Sequence, residues 1–387
     1  MIPPHKPLVA FFGLTSSVGG IEMVMARLLP RLASEFQVLV LDPYGNADYG
    51  RLLDQAGVAR HSLGREPRRK AVGGQGRLGR LLSLARQAPW MLETAFRLRR
   101  WTIENKPAVL YFNQAQAAAF FSKFLPAGGP KLIYHAHGSL GGADVRNARA
   151  IGRRFDHVLA VSQWVKNRLT GAGLGEEKVS VVFNGVDGQD IRRRAQRPET
   201  PLPERRPNEV VIAHVGVLTP NKGQLRTLEA LAQLPANASV WFCGDIPQGG
   251  DAGYRAQLDS RTKALGLVER VRYLGWRDDV PFVLAQSDIC LLPSMQESFG
   301  MALLEAMALA KPCVGADTGG IPEIIEHGRT GFVAQADAES LAEALAKLVG
   351  SRELREHLGR AGKIRADEAF SLERQAGAIA AVLRDAA

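Results

Sequence analysis

The chain has 387 residues, of which 46% are hydrophobic and 23% are charged, and its formal net charge is +10. This length and balance predict a folded protein of two domains and exclude disorder as the default state. The three cysteines lie far apart in apolar runs, which argues against a disulfide framework or a cysteine metal cluster. No run approaches the ~20 apolar residues of a membrane span, and no leader pattern precedes the first strand, so we expect a cytoplasmic protein.

Short apolar runs alternate with helical patterns along the chain, which is typical of parallel sheets in α/β layers. In the first half, the predicted strands are residues 8–12, 37–41, 108–112, 131–135, 157–161 and 179–183. In the second half, they are residues 209–215, 239–243, 271–274, 289–292, 312–315 and 331–333. A proline- and charge-rich stretch, 192–207, separates the two series and has the composition of an exposed linker. The sequence therefore predicts two Rossmann-like domains.

A pair of glycines follows the first strand and opens a helix. Gly19 and Gly20 allow backbone amides to approach a ligand closely, although a simple tight turn would look the same in isolation. The predicted buried face of the helix is Met23, Ala26, Leu28 and Leu29. The turn lacks the spacing G-x-G-x-x-G, which counts against a nicotinamide-dependent dehydrogenase.

Residues 65–101 carry a concentration of positive charge. Between Arg65 and Arg100 there are ten basic residues and two acidic ones. Large apolar side chains such as Trp90 and Phe96 are interleaved with them, as in a helix that lies on an anionic membrane surface. The alternative is two amphipathic helices that pack on the core and keep a solvated basic face. No nucleic-acid-binding motif accompanies the charge, so we expect no nucleic acid partner.

Two histidines end a strand of the first series. His135 and His137 are separated by one residue, so a strand places both on one face. Metal binding is the rival interpretation of this pair. No third ligand cluster lies nearby in sequence and no D-x-D occurs in the chain, so we expect no catalytic metal and no cofactor.

Glycines and cations follow three strands of the second series. Gly216 leads from a strand to Lys222, a cation that suits a diphosphate, although a solvated surface lysine is the alternative. Gly244 follows the next strand, and Trp276 with Arg277 follows the third. Trp276 could be a core aromatic residue as well as a residue of an exposed loop.

The most informative segment is a strand-to-helix turn at Phe299 and Gly300. Glu297 and Glu305 flank this turn eight residues apart, which in a helix is at most ~12 Å along the axis. Each carboxylate can accept hydrogen bonds from hydroxyls at opposite ends of one sugar nucleotide. Free amides at the helix start attract phosphate. Two solvated glutamates beside an ordinary helix are the alternative interpretation.

The residues around this turn resemble a known family. The pair Glu297 and Glu305 is followed by the strand 311–314, Lys-Pro-Cys-Val, and by the loop 318–323, Thr-Gly-Gly-Ile-Pro-Glu. This order resembles the E-x7-E, K-P-V-V and T-x-G-G-x-P-E pattern of the family 4 retaining glycosyltransferases. Agreement at so many positions over more than thirty residues is a specific signal.

The resemblance implies the glycosyltransferase-B fold, in which two Rossmann-like α/β domains face each other across a cleft. An acceptor-side domain at 1–190 and a nucleotide-sugar domain at 191–370 would be followed by a helix at 371–387 that crosses back to the first domain. The implied activity is a retaining, metal-independent transfer of a sugar from a nucleotide sugar, UDP-sugar before GDP-sugar, to a glycan or lipid-linked acceptor. The expected setting is bacterial cell-surface polysaccharide or lipopolysaccharide synthesis at the inner face of the cytoplasmic membrane.

The resemblance also implies a role for each matched residue. His137 would approach the transferred sugar, Glu297 would hold the sugar hydroxyls, and Lys222 would stabilise the diphosphate, which makes these three the predicted catalytic residues. Glu305 would hold the ribose. The family has an arginine where this chain has Val217, so one of two expected phosphate cations is missing. The implied donor-binding residues are Gly19, Gly20, Gly216, Lys222, Gly244, Trp276, Arg277, Glu297, Phe299, Gly300 and Glu305.

Two other functions stay open at this point. One is a glycosyltransferase-B enzyme that epimerises or hydrolyses a sugar nucleotide without an acceptor. The other is a membrane-associated, non-enzymatic partner that binds a sugar nucleotide, with Val217 as a first sign of lost activity. The presence of Lys222, Glu297, Glu305 and His137 together argues against the second.

Overall fold

The computed structural model describes residues 6–14, 20–64, 76–138, 142–247 and 249–387. Contacts divide the chain into two compact units, Met1–Phe183 with Gln375–Ala387 and Asn184–Arg374. The predicted boundary at residue 190 falls inside a helix of the second unit. Each unit is built on one parallel β-sheet, and the prediction of two Rossmann-like α/β domains is confirmed.

The described part of the first unit contains a seven-stranded parallel sheet in the order β3-β2-β1-β4-β5-β6-β7. Its strands are β1 Leu8–Phe12, β2 Gln37–Asp42, β3 Arg60–Ser62, β4 Val109–Phe112, β5 Lys131–Ala136, β6 His157–Ala160 and β7 Val179–Val181. The chain proceeds outward from β1 in one direction and from β4 in the other, so the strand order reverses between these two neighbours. Ligands of such sheets bind at this point, beyond the carboxyl ends of the strands.

The helices of the first unit cover the faces of this sheet. They are α1 Gly20–Leu32, α2 Ala47–Gln55, α3 Gly76–Asn105, α4 Ala115–Phe121, α5 Ala143–Arg154 and α6 Gln163–Gly171, with 3₁₀ turns at Ser122–Phe124 and Glu176–Lys178. The buried side of α1 includes Val24 and Met25, whereas Met23, which was predicted to be buried, is only half-buried. Residues 76–105 form one helix of 30 residues, which differs from the alternative of two amphipathic helices in this segment.

The described part of the second unit contains a six-stranded parallel sheet in the order β10-β9-β8-β11-β12-β13. Its strands are β8 Val210–Val215, β9 Ala238–Cys243, β10 Val271–Gly275, β11 Ile289–Leu292, β12 Cys313–Ala316 and β13 Gly331–Ala334. The strand order reverses between β8 and β11. Aliphatic side chains of these strands and of the helices on one face form a fully buried core.

Strands and helices of the second unit alternate up to β13, and three helices follow that strand in succession. They are α7 Gly188–Arg194, α8 Gln224–Ala232, α9 Gly253–Ala264, α10 Val280–Gln286, α11 Met301–Ala308, α12 Ile321–Ile324, α13 Ala338–Gly350, α14 Arg352–Ala369 and α15 Leu372–Ala386, with 3₁₀ turns at Pro220–Lys222 and Val268–Arg270. From Gln375 onward, α15 belongs to the first unit, where Arg384 forms an ion pair of 2.5 Å with Glu35. None of the helices in the described ranges is long and apolar enough to cross a membrane.

The proline-rich stretch 192–207 is largely exposed, but it does not connect the two units. The chain enters the second unit at Asn184, and the stretch lies within that unit. The backbone N–H of Glu199 donates to Asp279, and the carbonyl of Thr200 accepts from Arg277. The prediction of a linker between domains was therefore wrong, because backbone and side-chain hydrogen bonds hold this irregular segment on the second unit.

A glycine contact between two helices of the second unit tests this packing. A Cβ atom at Gly359 of α14 would lie 2.0 Å from the carbonyl oxygen of Ala310, just beyond α11. Because that oxygen belongs to backbone, we expect Gly359→Ala to lower the free energy of unfolding by about 3 kcal/mol, the upper cost of overpacking. Gly377→Ala is the control, since a Cβ atom there meets nothing within 4 Å on an exposed helix face. Thermal and denaturant unfolding would measure the stability of both variants. Equal stabilities of Gly359→Ala and Gly377→Ala would contradict this packing.

Candidate functional site

Two loops of the second unit meet where the order of its strands reverses. The loop after β8 runs from Gly216 to Gly223, and the loop after β11 runs from Pro293 to Gly300. The backbone N–H of Met295 donates to the carbonyl of Asn221, and the Asn221 side chain donates back to the second loop. This pairing fixes the two loops against each other beyond the carboxyl edge of the sheet.

An ion pair joins the two loops. The ammonium of Lys222 lies 2.6 Å from Oε2 of Glu297, and the hydroxyl of Ser294 donates to the same oxygen at 3.2 Å. The Lys222 and Glu297 side chains are only 18% and 15% exposed. Both were predicted as site residues, but their direct contact was not predicted.

Glycines make the close approach of these loops possible. Gly223 has φ +78°, and a Cβ atom there would lie 2.4 Å from the carbonyl oxygen of Pro293. Gly244, after β9, has φ +147°, and its Cβ atom would lie 2.1 Å from the carbonyl oxygen of Gly216. Positive φ values of this kind are accessible to glycine at little cost. The backbones of three neighbouring loops therefore approach more closely than any side chain allows.

The glycine-rich loop after β12 supports Glu297 from behind. The hydroxyl of Thr318 donates to the Ser294 carbonyl at 2.6 Å, and the N–H of Gly320 donates to the Glu297 carbonyl at 2.9 Å. At Gly319, which has φ +61°, a Cβ atom would lie 1.8 Å from that same carbonyl oxygen. This loop therefore positions the backbone of Glu297.

The predicted strand-to-helix turn is present. Gly300 has φ +117° and precedes α11, and its carbonyl accepts from the N–H groups of Leu303 and Leu304, which leaves the amides of Met301 and Ala302 without an intrahelical partner. Phe299 is buried and packs edge-on against Phe370 at 5.8 Å between ring centroids. Glu305 is half-buried on the second turn of α11.

Charges converge near the end of β9. Burial raises the pKa of the Cys243 thiol to about 12, the Arg277 guanidinium lowers it, and the carboxylates of Asp279 and Glu305 act in the same direction as burial. Glu305, on the helix that follows β11, is therefore near enough to the last residue of β9 to act on it electrostatically. Glu305 and the Lys222–Glu297 pair thus lie at the same edge of the sheet.

Trp276 and Arg277, which follow β10, differ in how they are held. The buried guanidinium of Arg277 donates two hydrogen bonds of 2.7 Å to the Asp279 carboxylate. It also donates to the carbonyl of Thr200. Trp276 is 65% exposed, and its indole N–H donates to Asp278. The Arg277 side chain therefore holds the fold, and Trp276 is not a core residue. Val217 stands where the family has an arginine. Its backbone carbonyl accepts a hydrogen bond from the Gln224 side chain.

A cavity of about 280 Å³ lies in the first unit, at the carboxyl ends of β4 and β5. His137 follows β5, and its Nε2 atom is buried without a hydrogen-bond partner among the described residues. Burial lowers the pKa of His137 to about 4, although Asp144 acts in the opposite direction. At neutral pH this ring is therefore uncharged. The lining includes Ile21, Asn113, Gln114, Gln116, His137 and Asp144.

Sequence patterns missed most of this lining. Asn113 and Gln114 come directly after the predicted strand 108–112, which was the available signal. Asp144 lies in the first turn of α5, where it accepts a hydrogen bond from the buried Tyr134 hydroxyl. Gly20 is the first residue of α1, whereas Gly19 lies outside the described residues. In the described ranges, no three His, Cys, Asp or Glu residues are grouped so that they could hold a metal ion.

Two family models match the chain one after the other. Residues 18–190 match the model described as Glycosyltransferase Family 4, and residues 195–365 match the model described as Glycosyl transferases group 1. The N-acetyl-alpha-D-glucosaminyl L-malate synthase of Bacillus anthracis is 30% identical over 225 residues, 57% of each chain. The UDP-Gal:alpha-D-GlcNAc-diphosphoundecaprenol alpha-1,3-galactosyltransferase of Escherichia coli is 31% identical over 186 residues, 46% of each chain. The chain thus spans about half the length of these curated relatives.

Solved structures show the same fold over nearly the whole chain. HepE of Anabaena in complex with UDP has a TM-score of 0.78 and 24% identity, covering 98% of this chain and 100% of that one. The lipopolysaccharide outer core galactosyltransferase WaaB, in its apo form, has a TM-score of 0.71 and 20% identity, covering 97% and 99%. These likenesses confirm the predicted glycosyltransferase-B fold class. With both family models matched in tandem, the chain belongs to the family 4 glycosyltransferases, with a group 1 domain in its second half.

Proposed function

We propose that the protein is a retaining, metal-independent glycosyltransferase that moves a sugar from a nucleotide sugar to a hydroxyl of a glycan or lipid-linked acceptor. The observation that carries this proposal is the Lys222–Glu297 pair beyond β8 and β11. An ammonium and a carboxylate meet there within one loop pair, and α11 begins where the second of these loops ends. A diphosphate linked to a sugar offers the complementary groups: an anion for the amides and the ammonium, and hydroxyls for the carboxylate.

Donor binding would rearrange the charges of this pair. A diphosphate is a stronger partner for Lys222 than one carboxylate, and its approach would free Glu297 to accept hydrogen bonds from sugar hydroxyls. The transition state resembles an oxocarbenium ion beside a departing anion. Lys222 and the amides after Gly300 would stabilise the charge that develops on the leaving diphosphate. Glu305, farther along α11, is proposed to hold the ribose.

The base is proposed to be uracil, with guanine as the next choice. HepE, which shares the fold, has been solved with UDP, and the Escherichia coli relative is named for a UDP-sugar. The backbone after β10, at Trp276 and Arg277, would contact the base because the Arg277 side chain is already paired with Asp279. In the first unit, the uncharged His137 would hydrogen-bond a hydroxyl of a sugar that enters its cavity.

The acceptor is proposed to be a lipid-linked precursor of lipopolysaccharide or another bacterial surface polysaccharide, reached by peripheral attachment to the inner face of the cytoplasmic membrane. One face of α3 supports attachment. Leu92, Phe96 and Ile103 are 42%, 61% and 49% exposed, and their spacing puts them on one side of the helix beside Arg99 and Arg100. Such a face can insert apolar side chains between lipid headgroups while each nearby arginine contributes about 1 kcal/mol. Of the rest of the basic segment, residues 65–75 and the side chains of 76–86 lie outside the described parts.

Ligand-induced thermal shifts test the donor site. A UDP-sugar at 100 times its dissociation constant should stabilise the folded state by about 2.7 kcal/mol, because it binds only that state. We expect a rise in Tm with the UDP-sugar that persists in a chelator and is absent in Lys222→Met. GDP- and ADP-sugars serve as matched ligands. If none of these nucleotide sugars raised Tm, the protein, with Val217 in place of the family's arginine, would not bind the donor. The proposal would then fail.

Steady-state kinetics test the roles of the paired residues. We expect Lys222→Met and Glu297→Gln each to lower kcat by about 10²-fold to 10³-fold, as for other groups that stabilise transition-state charge. Glu305→Ala should instead raise the donor KM. The control is Lys363→Met, which removes an exposed ion pair of 2.7 Å with Asp367 in the same unit. Near-normal kcat in both site variants would refute the assignment, and sugar release without an acceptor would indicate a hydrolase.

Flotation with liposomes tests membrane attachment through α3. The wild-type protein should float with anionic vesicles and not with neutral ones, and Leu92→Ser with Phe96→Ser should reduce the floated fraction at least about tenfold as apolar contacts are lost. Val268→Ser with Ile364→Ser is the control, because these residues are 53% and 56% exposed outside α3. Equal flotation of all three proteins would exclude this face as the attachment surface.

A further inference from the structure

A row of four rings crosses the first sheet and ends at its cavity. Phe11 of β1 and Tyr111 of β4 are register partners with ring centroids 4.7 Å apart. The Tyr111 hydroxyl lies 2.8 Å from Nδ1 of His135 on β5. The His135 ring lies 4.2 Å from the His137 ring, between centroids, with 37° between their planes. Only the last ring of the row borders the cavity.

The sheet register explains how these residues meet. Tyr111 pairs with Ile133, so His135 is its diagonal neighbour on the same face, within reach of an aromatic side chain. His135 and His137 follow on that face because side chains alternate along a strand. Tyr134 points to the other face, where its hydroxyl meets Asp144. The spacing H-x-H therefore places one histidine inside the sheet layer and the other at its edge.

The environment fixes the protonation of the inner pair. Tyr111 and His135 are both fully buried, which raises the pKa of the phenol well above its usual range and lowers the pKa of the imidazole well below it. Both are neutral at physiological pH. If the phenol donates to Nδ1, only the Nε2–H of His135 is left without a partner. If Nδ1–H donates instead, both Nε2 and the phenolic proton are left unpaired, and that costs more.

The outer ring needs orientation from its neighbours. The Nε2 atom of His137 has no hydrogen-bond partner among the described residues, so this nitrogen does not fix the ring. Rotation about the Cβ–Cγ bond of histidine is broad. The charged or titratable groups that act on His137 are the His135 ring beside it and the Asp144 carboxylate of α5. Stacking on an immobile ring can select one orientation.

We propose that Tyr111 and His135 are a positioning pair for His137. The Tyr111 hydroxyl holds His135 in one tautomer and one ring plane, and the His135 ring in turn sets the plane in which His137 presents Nε2 to the cavity. Neither residue of the pair touches the ligand. Their effect on turnover rests on the proposed glycosyltransferase function, whereas their effect on the His137 ring does not.

Tyr111→Phe is the decisive variant, because it removes the hydroxyl and keeps the ring in contact with Phe11. Its control is Thr102→Val, which removes another buried hydroxyl of the same unit, one that donates to Leu98 at 2.7 Å. The first readout is the spectrum of ¹⁵N-labelled histidine in the full chain, with His135 and His137 assigned from His135→Gln and His137→Gln. We expect His135 to carry its proton on Nε2 alone in the wild type, and the signals of both rings to shift in Tyr111→Phe but not in Thr102→Val. Unchanged His137 signals in Tyr111→Phe would overturn the proposal.

Kinetics provide the second readout. Tyr111→Phe should lower kcat about tenfold through misplacement of His137 while the donor KM stays within about twofold. An equal decrease in kcat in Thr102→Val would show that the loss of any buried hydroxyl lowers turnover through stability. That result would overturn the positioning role. If the wild type turns over no donor, the proposed function fails, and the spectra alone decide the pair. Should Tyr111→Phe not fold, His135→Asn keeps an acceptor for the phenol without the ring, and His137 signals identical to the wild type would then refute the proposal.

Discussion

The contact on which the second unit's site depends is the close approach of the backbones after β8 and β11. Gly223 and Pro293 come so near that no Cβ atom fits between them, and this approach brings Lys222 to Glu297. Two opposite charges from loops 75 residues apart are thereby held with little solvent around them. In the proposed donor site, a polyanionic ligand with hydroxyl groups would replace that contact without leaving either charge unpaired.

The two sheets carry different chemical groups at the same position, the carboxyl edge where the strand order reverses. In both, functional groups collect beyond the carboxyl edge where strand order reverses. The second sheet gathers charges and free helix amides, which suit a phosphate. The first gathers amides of Asn and Gln side chains, a neutral imidazole and one carboxylate around a cavity, which suit hydroxyl groups. The two units thus collect different chemical groups at the same position of their sheets.

Sequence patterns predicted the strands well because each central strand is a continuous apolar run. Strand β3 was missed because its residues Arg60, His61 and Ser62 are polar and exposed at the edge of the sheet. Glu297, Glu305 and Lys222 were predicted as site residues from their spacing and from the family resemblance, and their roles stay predictions. The Lys222–Glu297 contact, the inward Arg277 side chain and Asp144 could not be predicted, because each depends on packing between segments that are distant in sequence or on a turn whose direction the residues alone do not fix.

The first unit is discontinuous in sequence, and this affects the order in which the protein can fold during synthesis. Its segment Gln375–Ala387 contributes buried residues of α15 such as Ile379 and Leu383 and leaves the ribosome only after the whole second unit has been made. Domains generally fold as units while the chain emerges, with N-terminal domains first. Here the second unit, which is contiguous in sequence, can be complete while the first still lacks a helix. The nascent protein can therefore complete its six-stranded sheet before the unit whose synthesis began earlier is finished.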